Sequence, residues 1–215
     1  MGHLKKEDYF VLKQPKLTPE VKAIVSLQHY SKGGSRTATD VHTLHHRQDP
    51  FQILGVAWWL PTTKNAAISV AGDNWRRCVS LSRFTIDPSI PTNGASFLLG
   101  QSIRILKTEG RWDVLVTWAD QGQGHTGAIY KATNWELMGE TEPAYRYVDS
   151  EGRMVSRKSS GYTRSHASML RAGYTAEGPF RKWKFRYVVR KAGVIPTPQK
   201  VIILPTPRWT PPWQS

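Results

Sequence analysis

The chain has 215 residues, a hydrophobic fraction of 39% and nine tryptophans, enough to bury a sizeable core and to exclude a chain that is disordered throughout. A single cysteine, Cys78, excludes an internal disulfide framework and multi-cysteine zinc sites, and it suits a reducing compartment. The net charge of +14 is uneven: Arg153 to Lys200 carries twelve Lys/Arg against one acidic residue, Glu177, and such a field attracts a polyanion.

The N-terminal Lys5-Lys6-Glu7-Asp8 runs into mixed sequence without the apolar region of a secretion signal, and Lys6 stands where a myristoylation motif needs Ser or Thr. Nothing approaches the roughly 18 apolar residues of a membrane span. The expectation is a soluble cytoplasmic protein with no membrane partner.

Residues 18–30 predict a helix, with Thr18 as N-cap, Pro19 in the first turn, and Val21, Ile24, Val25 and Gln28 at helical spacing. Residues 31–50 are polar and rich in Gly, Ser, Thr and His, and they predict a loop. His42, His45 and His46 fall in it without a rigid scaffold, so no metal site is expected. Residues 52–60 and 78–86 predict strands, and Cys78 reads as a strand residue, not a nucleophile. After an Asp87–Pro91 turn, Asn93 is the expected N-cap of a helix over 94–106 with Leu99, Ile103 and Leu106 on its buried face. Trp112 to Trp118 predicts a buried strand. A helix over about 125–134, a strand over 135–140 and a hairpin over 145–155 around Asp149-Ser150-Glu151-Gly152 follow. Residues 182–190 and 201–204 are further candidate strands, and 195–215 is a proline-rich tail with Trp209 and Trp213. This order predicts an α/β (α+β) fold, a mixed sheet with helices on both faces.

The densest run of unusual residues is Trp118-Ala119-Asp120-Gln121-Gly122-Gln123-Gly124-His125-Thr126-Gly127-Ala128-Ile129-Tyr130. It leaves a buried strand and opens a helix, the edge at which open α/β sheets place ligands. A capping turn needs one polar residue, and this one supplies several. Pro91 to Ser96 offers a second, weaker candidate: backbone amides at a helix start that suit an anion. His29-Tyr30 closes the first helix. In Arg181-Lys182-Trp183-Lys184-Phe185-Arg186-Tyr187, cations interleave with stacking surfaces, as suits nucleic acid. Arg181, Lys182, Lys184 and Arg186 are the expected DNA contacts.

Gly127-Ala128-Ile129-Tyr130-Lys131-Ala132-Thr133-Asn134-Trp135, followed by Gly139, resembles the last helix and strand of GNAT-type N-acyltransferases. More specifically, His29-Tyr30, Leu81-Ser82-Arg83, Asn93 with Ser96-Phe97, and Ala119-Asp120 through Gln123-Gly124-His125 to Tyr130 and Asn134 resemble the phage Mom proteins. Those are DNA-modification enzymes that place a carbamoylmethyl group on the N6 of adenine. The resemblance spans about residues 27–140 and implies a GNAT-like, mostly antiparallel sheet. The chain departs from ordinary GNAT enzymes at Ile90-Pro91-Thr92-Asn93-Gly94-Ala95, which lacks their Gln/Arg-x-x-Gly-x-Gly/Ala pyrophosphate pattern. The expected donor is therefore an unidentified acyl-type donor, not necessarily acetyl-CoA.

On this resemblance Asp120 orients or deprotonates the amine, with His29 or His125 as proton shuttle beside Tyr30. Tyr130 is the acid toward the leaving group. Arg83 and the Asn93–Ser96 amides stabilise donor charge, and Gln123 and Asn134 complete the donor or substrate contacts. The partner implied is double-stranded DNA, protected from restriction by the modification. The expected organisation is a catalytic core over 1–155, a basic aromatic extension over 156–194 that completes the sheet and binds DNA, and the tail over 195–215. The competing readings are an acetyl-CoA-dependent acetyltransferase acting on a protein or small amine, and a non-enzymatic DNA-binding module.

Overall fold

The computed structural model describes residues 2–29, 38–159 and 162–189. In chain order the elements are β1 (Tyr9–Lys13), α1 (Pro19–Gln28), β2 (Asp40–His46), β3 (Gly55–Leu60), α2 (Lys64–Ala71), β4 (Cys78–Ile86), α3 (Gly94–Glu109), β5 (Val114–Asp120), α4 (Ala128–Ala132) and β6 (Glu136–Glu140). Then come β7 (Ala144–Val148), β8 (Met154–Val155), β9 (Lys158–Ser159), β10 (Tyr162–Thr163), α5 (His166–Arg171), β11 (Thr175–Phe180) and β12 (Lys182–Val188). Tyr30, residues 190–194, the 201–204 strand candidate and the proline-rich tail lie outside the described residues.

Seven strands form the main sheet in the order β1-β2-β3-β4-β5-β12-β6. Every neighbouring pair is antiparallel except β4 and β5. Side-chain alternation sorts the strands onto two cores. Ala57, Trp59, Val79, Leu81, Leu115, Ala119 and Phe185 pack under Leu98, Leu99, Ile103 and Leu106 of α3. On the opposite face Val56 and Trp58 meet Val21 and Val25 of α1, while Val114 and Val116 meet Ala67 and Val70 of α2. Between β6 and β12 the chain builds a smaller sheet, β11-β7-β8, with the β9–β10 hairpin and α5 beside it.

Several predicted elements form as read. Thr18 caps α1, its hydroxyl accepting from the Val21 amide at 3.4 Å, and β4 covers the expected residues. Residues 31–50 do not form one loop: their second half is β2, a strand inside the sheet. Its polar side chains are tolerated because the fold supplies partners for most of them, although His42 Nε2 is left without one among the described residues. Asp40 receives Lys13 at 2.9 Å, Arg111 at 3.2 Å and the Trp112 indole at 3.1 Å. His42 Nδ1 lies 2.5 Å from Ser102 Oγ, and His45 Nε2 lies 2.8 Å from Thr43 Oγ1. The helix expected over 125–134 is only Ala128–Ala132, because Gly124 and Gly127 take left-handed conformations at φ 69° and 74° and delay its start. α2 was not anticipated. Asn93 stands at the start of α3 without capping it, because its side chain accepts from the Leu4 amide at 2.6 Å. Among the described residues, no helix is long and apolar enough to cross a membrane.

Candidate active site

β4 and β5 pair over three residues only, Cys78↔Val114, Val79↔Leu115 and Ser80↔Val116, although β4 continues to Ile86 and β5 to Asp120. A bulge bends β4 at that point: Trp58 faces Arg83 and Trp59 faces Leu81, leaving Ser82 unmatched. The two strands part, with one last contact from the Thr117 hydroxyl to the Leu81 carbonyl at 3.4 Å. A cavity of about 400 Å³ opens in the cleft between them.

The cavity is lined from both faces of the sheet: His29 closes α1 on one side, and Ala95, Ile129 and Tyr130 come from α3 and α4 on the other. Thr117, Trp118 and the 124–130 turn supply the β5 wall. His29 is buried, and burial pushes its imidazole down to about 4, helped by the nearby Arg83 guanidinium and by His125. It is therefore neutral at pH 7. Tyr130 is buried as well, its hydroxyl accepting from Thr117 Oγ1 at 3.2 Å. Its ring packs against Trp135 and Phe185 at centroid distances of 5.6 and 5.1 Å.

The turn between β5 and α4 is built by its glycines and by Asp120. Asp120 Oδ1 accepts from the Gly122 amide at 3.0 Å, and Oδ2 pairs with Lys182 Nζ at 3.1 Å. A Cβ on Gly122 would lie 2.6 Å from the Phe180 ring, and one on Gly127 would lie 2.3 Å from the Phe185 ring. The turn is thus clamped from β11 and β12. Asn134 adopts φ 63°, and the Trp135 amide returns to the Tyr130 carbonyl at 2.9 Å. These constraints fix Tyr130 where it faces Thr117.

Of the residues singled out in the sequence, His29, His125 and Tyr130 meet at this cavity. Arg83 stands beside it and donates to the Ser82 carbonyl at 2.7 Å. Asp120 does not line the cavity: it ends β5, and its carboxylate caps the turn that follows. Gln123 stays within that turn. Asn93, Ser96 and Asn134 line a separate cleft of about 410 Å³ along α3, with Lys6, Arg104 and Lys107. Tyr30 lies outside the described residues. Arg181 pairs with Glu140 at 3.7 Å and Lys182 with Asp120. Arg186 pairs with Glu136 at 2.7 Å and reaches the Val70 carbonyl at 3.1 Å. Lys184 is half-buried on β12, and burial pushes its ammonium down. Cys78 is buried, its thiol pushed up to about 12.

Thr117 was missed from the sequence. It is the one polar side chain in the apolar run Val114-Leu115-Val116-Thr117-Trp118-Ala119, and period-two counting puts it on the same face as Leu115 and Ala119.

The architecture matches solved acetyltransferase structures. An IAA acetyltransferase from Bacillus cereus superposes with a TM-score of 0.51 at 9% identity, covering 84% of this chain and 99% of that one. The ribosomal-protein-S18-alanine N-acetyltransferase from Escherichia coli has a TM-score of 0.48 at 12% identity, covering 86% and 97%. A putative acetyltransferase from Salmonella typhimurium, solved with its cofactor acetyl-CoA, has a TM-score of 0.47 at 9% identity, covering 86% and 97%. No curated protein matches the chain. The fold is GNAT-like, a mostly antiparallel sheet flanked by helices on both faces. The model of the Mom protein family matches residues 15–200, spanning both the split sheet and the β6–β12 insertion, and the chain belongs to the Mom protein family.

Proposed function

We propose that this protein is a DNA-modifying transferase that places a carbamoylmethyl group on the N6 amine of adenine, protecting the DNA from restriction in a host bacterial cytoplasm. One observation carries the reading: a neutral, buried His29 and a buried Tyr130 hydroxyl line the same cavity in the split of a GNAT-like sheet. Membership of the Mom family supports the choice of acceptor.

Adenine N6 is a weak nucleophile because its lone pair is delocalised into the ring. Catalysis needs a base for the departing proton and an acid for the leaving group. His29 takes the proton as the N–C bond forms, since burial holds its imidazole neutral at pH 7. Tyr130, oriented by Thr117, donates toward the leaving group. Arg83 supplies positive charge at the cavity mouth. Asp120 acts as a positioning residue, holding the turn that carries His125. The donor enters along α3, where Lys6, Arg104 and Lys107 suit an anionic group. A base in duplex DNA is flipped out of the stack to reach such a cavity.

Co-expression with a plasmid, followed by mass spectrometry of the digested nucleosides, tests the proposal. A mass-shifted deoxyadenosine in the wild type that vanishes in His29→Ala is expected. Unmodified adenine in the wild type overturns it. Tight acetyl-CoA binding by a protein with no affinity for DNA would transfer the assignment to an ordinary acetyltransferase.

A further inference from the structure

The charge run from Arg181 to Arg186 is largely answered from within the protein. Glu140 lies near Arg181, Asp120 takes Lys182 and Glu136 takes Arg186, whose side chain is only 12% exposed. Lys184 is different. Among the described residues it has no carboxylate, carbonyl or hydroxyl partner. Its register explains why: it stands between Trp118 on β5 and Gly139 on β6, so one neighbour offers an indole ring and the other no side chain. Directly opposed residues bring their Cβ atoms to about 5 Å, so the Lys184 and Trp118 side chains leave the same face of the sheet as neighbours, and Trp118 lines the cavity.

The surface around this pair is aromatic and cationic. Trp118 and Trp75 pack on the same buried cluster under α2. Lys64 and Arg76 lie over the Trp75 ring at 5.3 and 4.6 Å. A half-buried ammonium without an internal anion is costly unless an external one completes it. The stacking face alongside suits the base that accompanies a phosphate.

We propose that Lys184 and Trp118 form the acceptor-side anchor of the cavity, Lys184 binding a DNA backbone phosphate and Trp118 stacking on the base delivered beside it. This rests on the DNA-modification reading and adds the face from which DNA approaches: the α2 side of the sheet, opposite the α3 cleft. It also separates Lys184 from its three charged neighbours, whose role is to hold β5, β6 and β12 together.

The test uses full-length protein and a labelled duplex with a central 2-aminopurine, titrated by fluorescence anisotropy across a salt series. Lys184→Gln is expected to lower affinity about tenfold near 0.1 M salt and to reduce the slope of log affinity against log salt by about one. Lys184→Arg, which keeps the cation, is expected to retain both. Trp118→Leu keeps the slope but loses the 2-aminopurine emission change of the wild type. Wild-type affinity and slope in Lys184→Gln overturn the phosphate assignment, and an unchanged emission response in Trp118→Leu overturns the stacking. A loss in Lys184→Gln that Lys184→Arg shares, with both variants melting like the wild type, also overturns the phosphate contact, which needs only a cation. If the wild type binds no duplex and yields no modified adenine, the function itself falls; if it does both and Lys184→Gln is silent, only this inference falls.

Discussion

His29 and His42 are both buried, and burial pushes both imidazoles down to about 4, yet they belong to different kinds of place. His42 sits in the middle of β2 with Nδ1 against Ser102, whose hydroxyl also accepts from the Trp59 indole at 2.9 Å. No cavity reaches it among those that bring site residues together. His29 ends a helix, with Arg83 and His125 close enough to press its charge down further, and it opens on the split between β4 and β5. A perturbed histidine therefore marks a site only when space for a ligand adjoins it. Thr117 and Ser102 play parallel parts: one hydroxyl holds Tyr130 at the cavity, the other locks His42 into the core.

The largest expected separation is between the two histidines themselves. His29→Ala should lower modification by about 10²–10⁴-fold, the range for a lost general base, with a smaller loss of stability than His42→Ala. His42→Ala should leave the chemistry intact per folded molecule and destabilise by about 2–3 kcal/mol through the emptied core and the stranded Ser102. Nucleoside yield set beside thermal melting reads both, and equal activity losses in the two variants would erase the distinction.

The next effect concerns pH. For both rings the folded value, about 4, lies below the ordinary 6.5. The unfolded chain therefore binds protons that the fold refuses between those values. The stability from neutral burial is complete above pH 6.5 and is lost as pH falls toward 4. His42 alone contributes about 3 kcal/mol over that window. Denaturant midpoints should fall steadily from pH 6.5 to 4.5, and His42→Gln should flatten that decline.

Thr117→Val keeps the shape of the β5 wall and removes the donor to Tyr130. A fall of about five- to tenfold in kcat with KM little changed is expected, since a hydrogen bond of this kind is worth about 1–1.4 kcal/mol. A KM effect with kcat preserved would assign Thr117 to substrate binding instead. The smallest effect is at Asp120. Asp120→Asn retains an oxygen for the Gly122 amide and loses the pairing with Lys182, whereas Asp120→Ala loses both. Activity in the Ala variant should fall below that of the Asn variant by the worth of one cap, about 1 kcal/mol. Equal and complete loss in both would move Asp120 from positioning into the chemistry.

Much of the candidate site was legible along the chain because it is local. Asp120 to Tyr130 is one turn, and its glycines, histidine and tyrosine mark it without any tertiary information. The pairing of Asp120 with Lys182 was not legible, because it depends on the register of β5 against β12. The meeting of His29 with Tyr130 is likewise long-range, produced by the bulge at Ser82 and the parting of two strands.

Sequence alone determined the elements whose side chains form a clear pattern: α1, β3, β4, α3 and the apolar part of β5. The helices show it in a periodic hydrophobic face, and the strands in short apolar runs rich in β-branched and aromatic residues and bounded by turns. It also determined the glycine positions at Gly124 and Gly127, where positive φ excludes most residues. Tertiary structure decided that Asp40–His46 is a strand, because its polar side chains are affordable only where Lys13, Arg111, Trp112 and Ser102 come from distant elements to meet them. It decided too which cation of a uniform basic run is left for a ligand. Charge is a property of the residue, but neutralisation belongs to the residue that the sheet places opposite it, and opposite Lys184 the sheet places a tryptophan and a glycine.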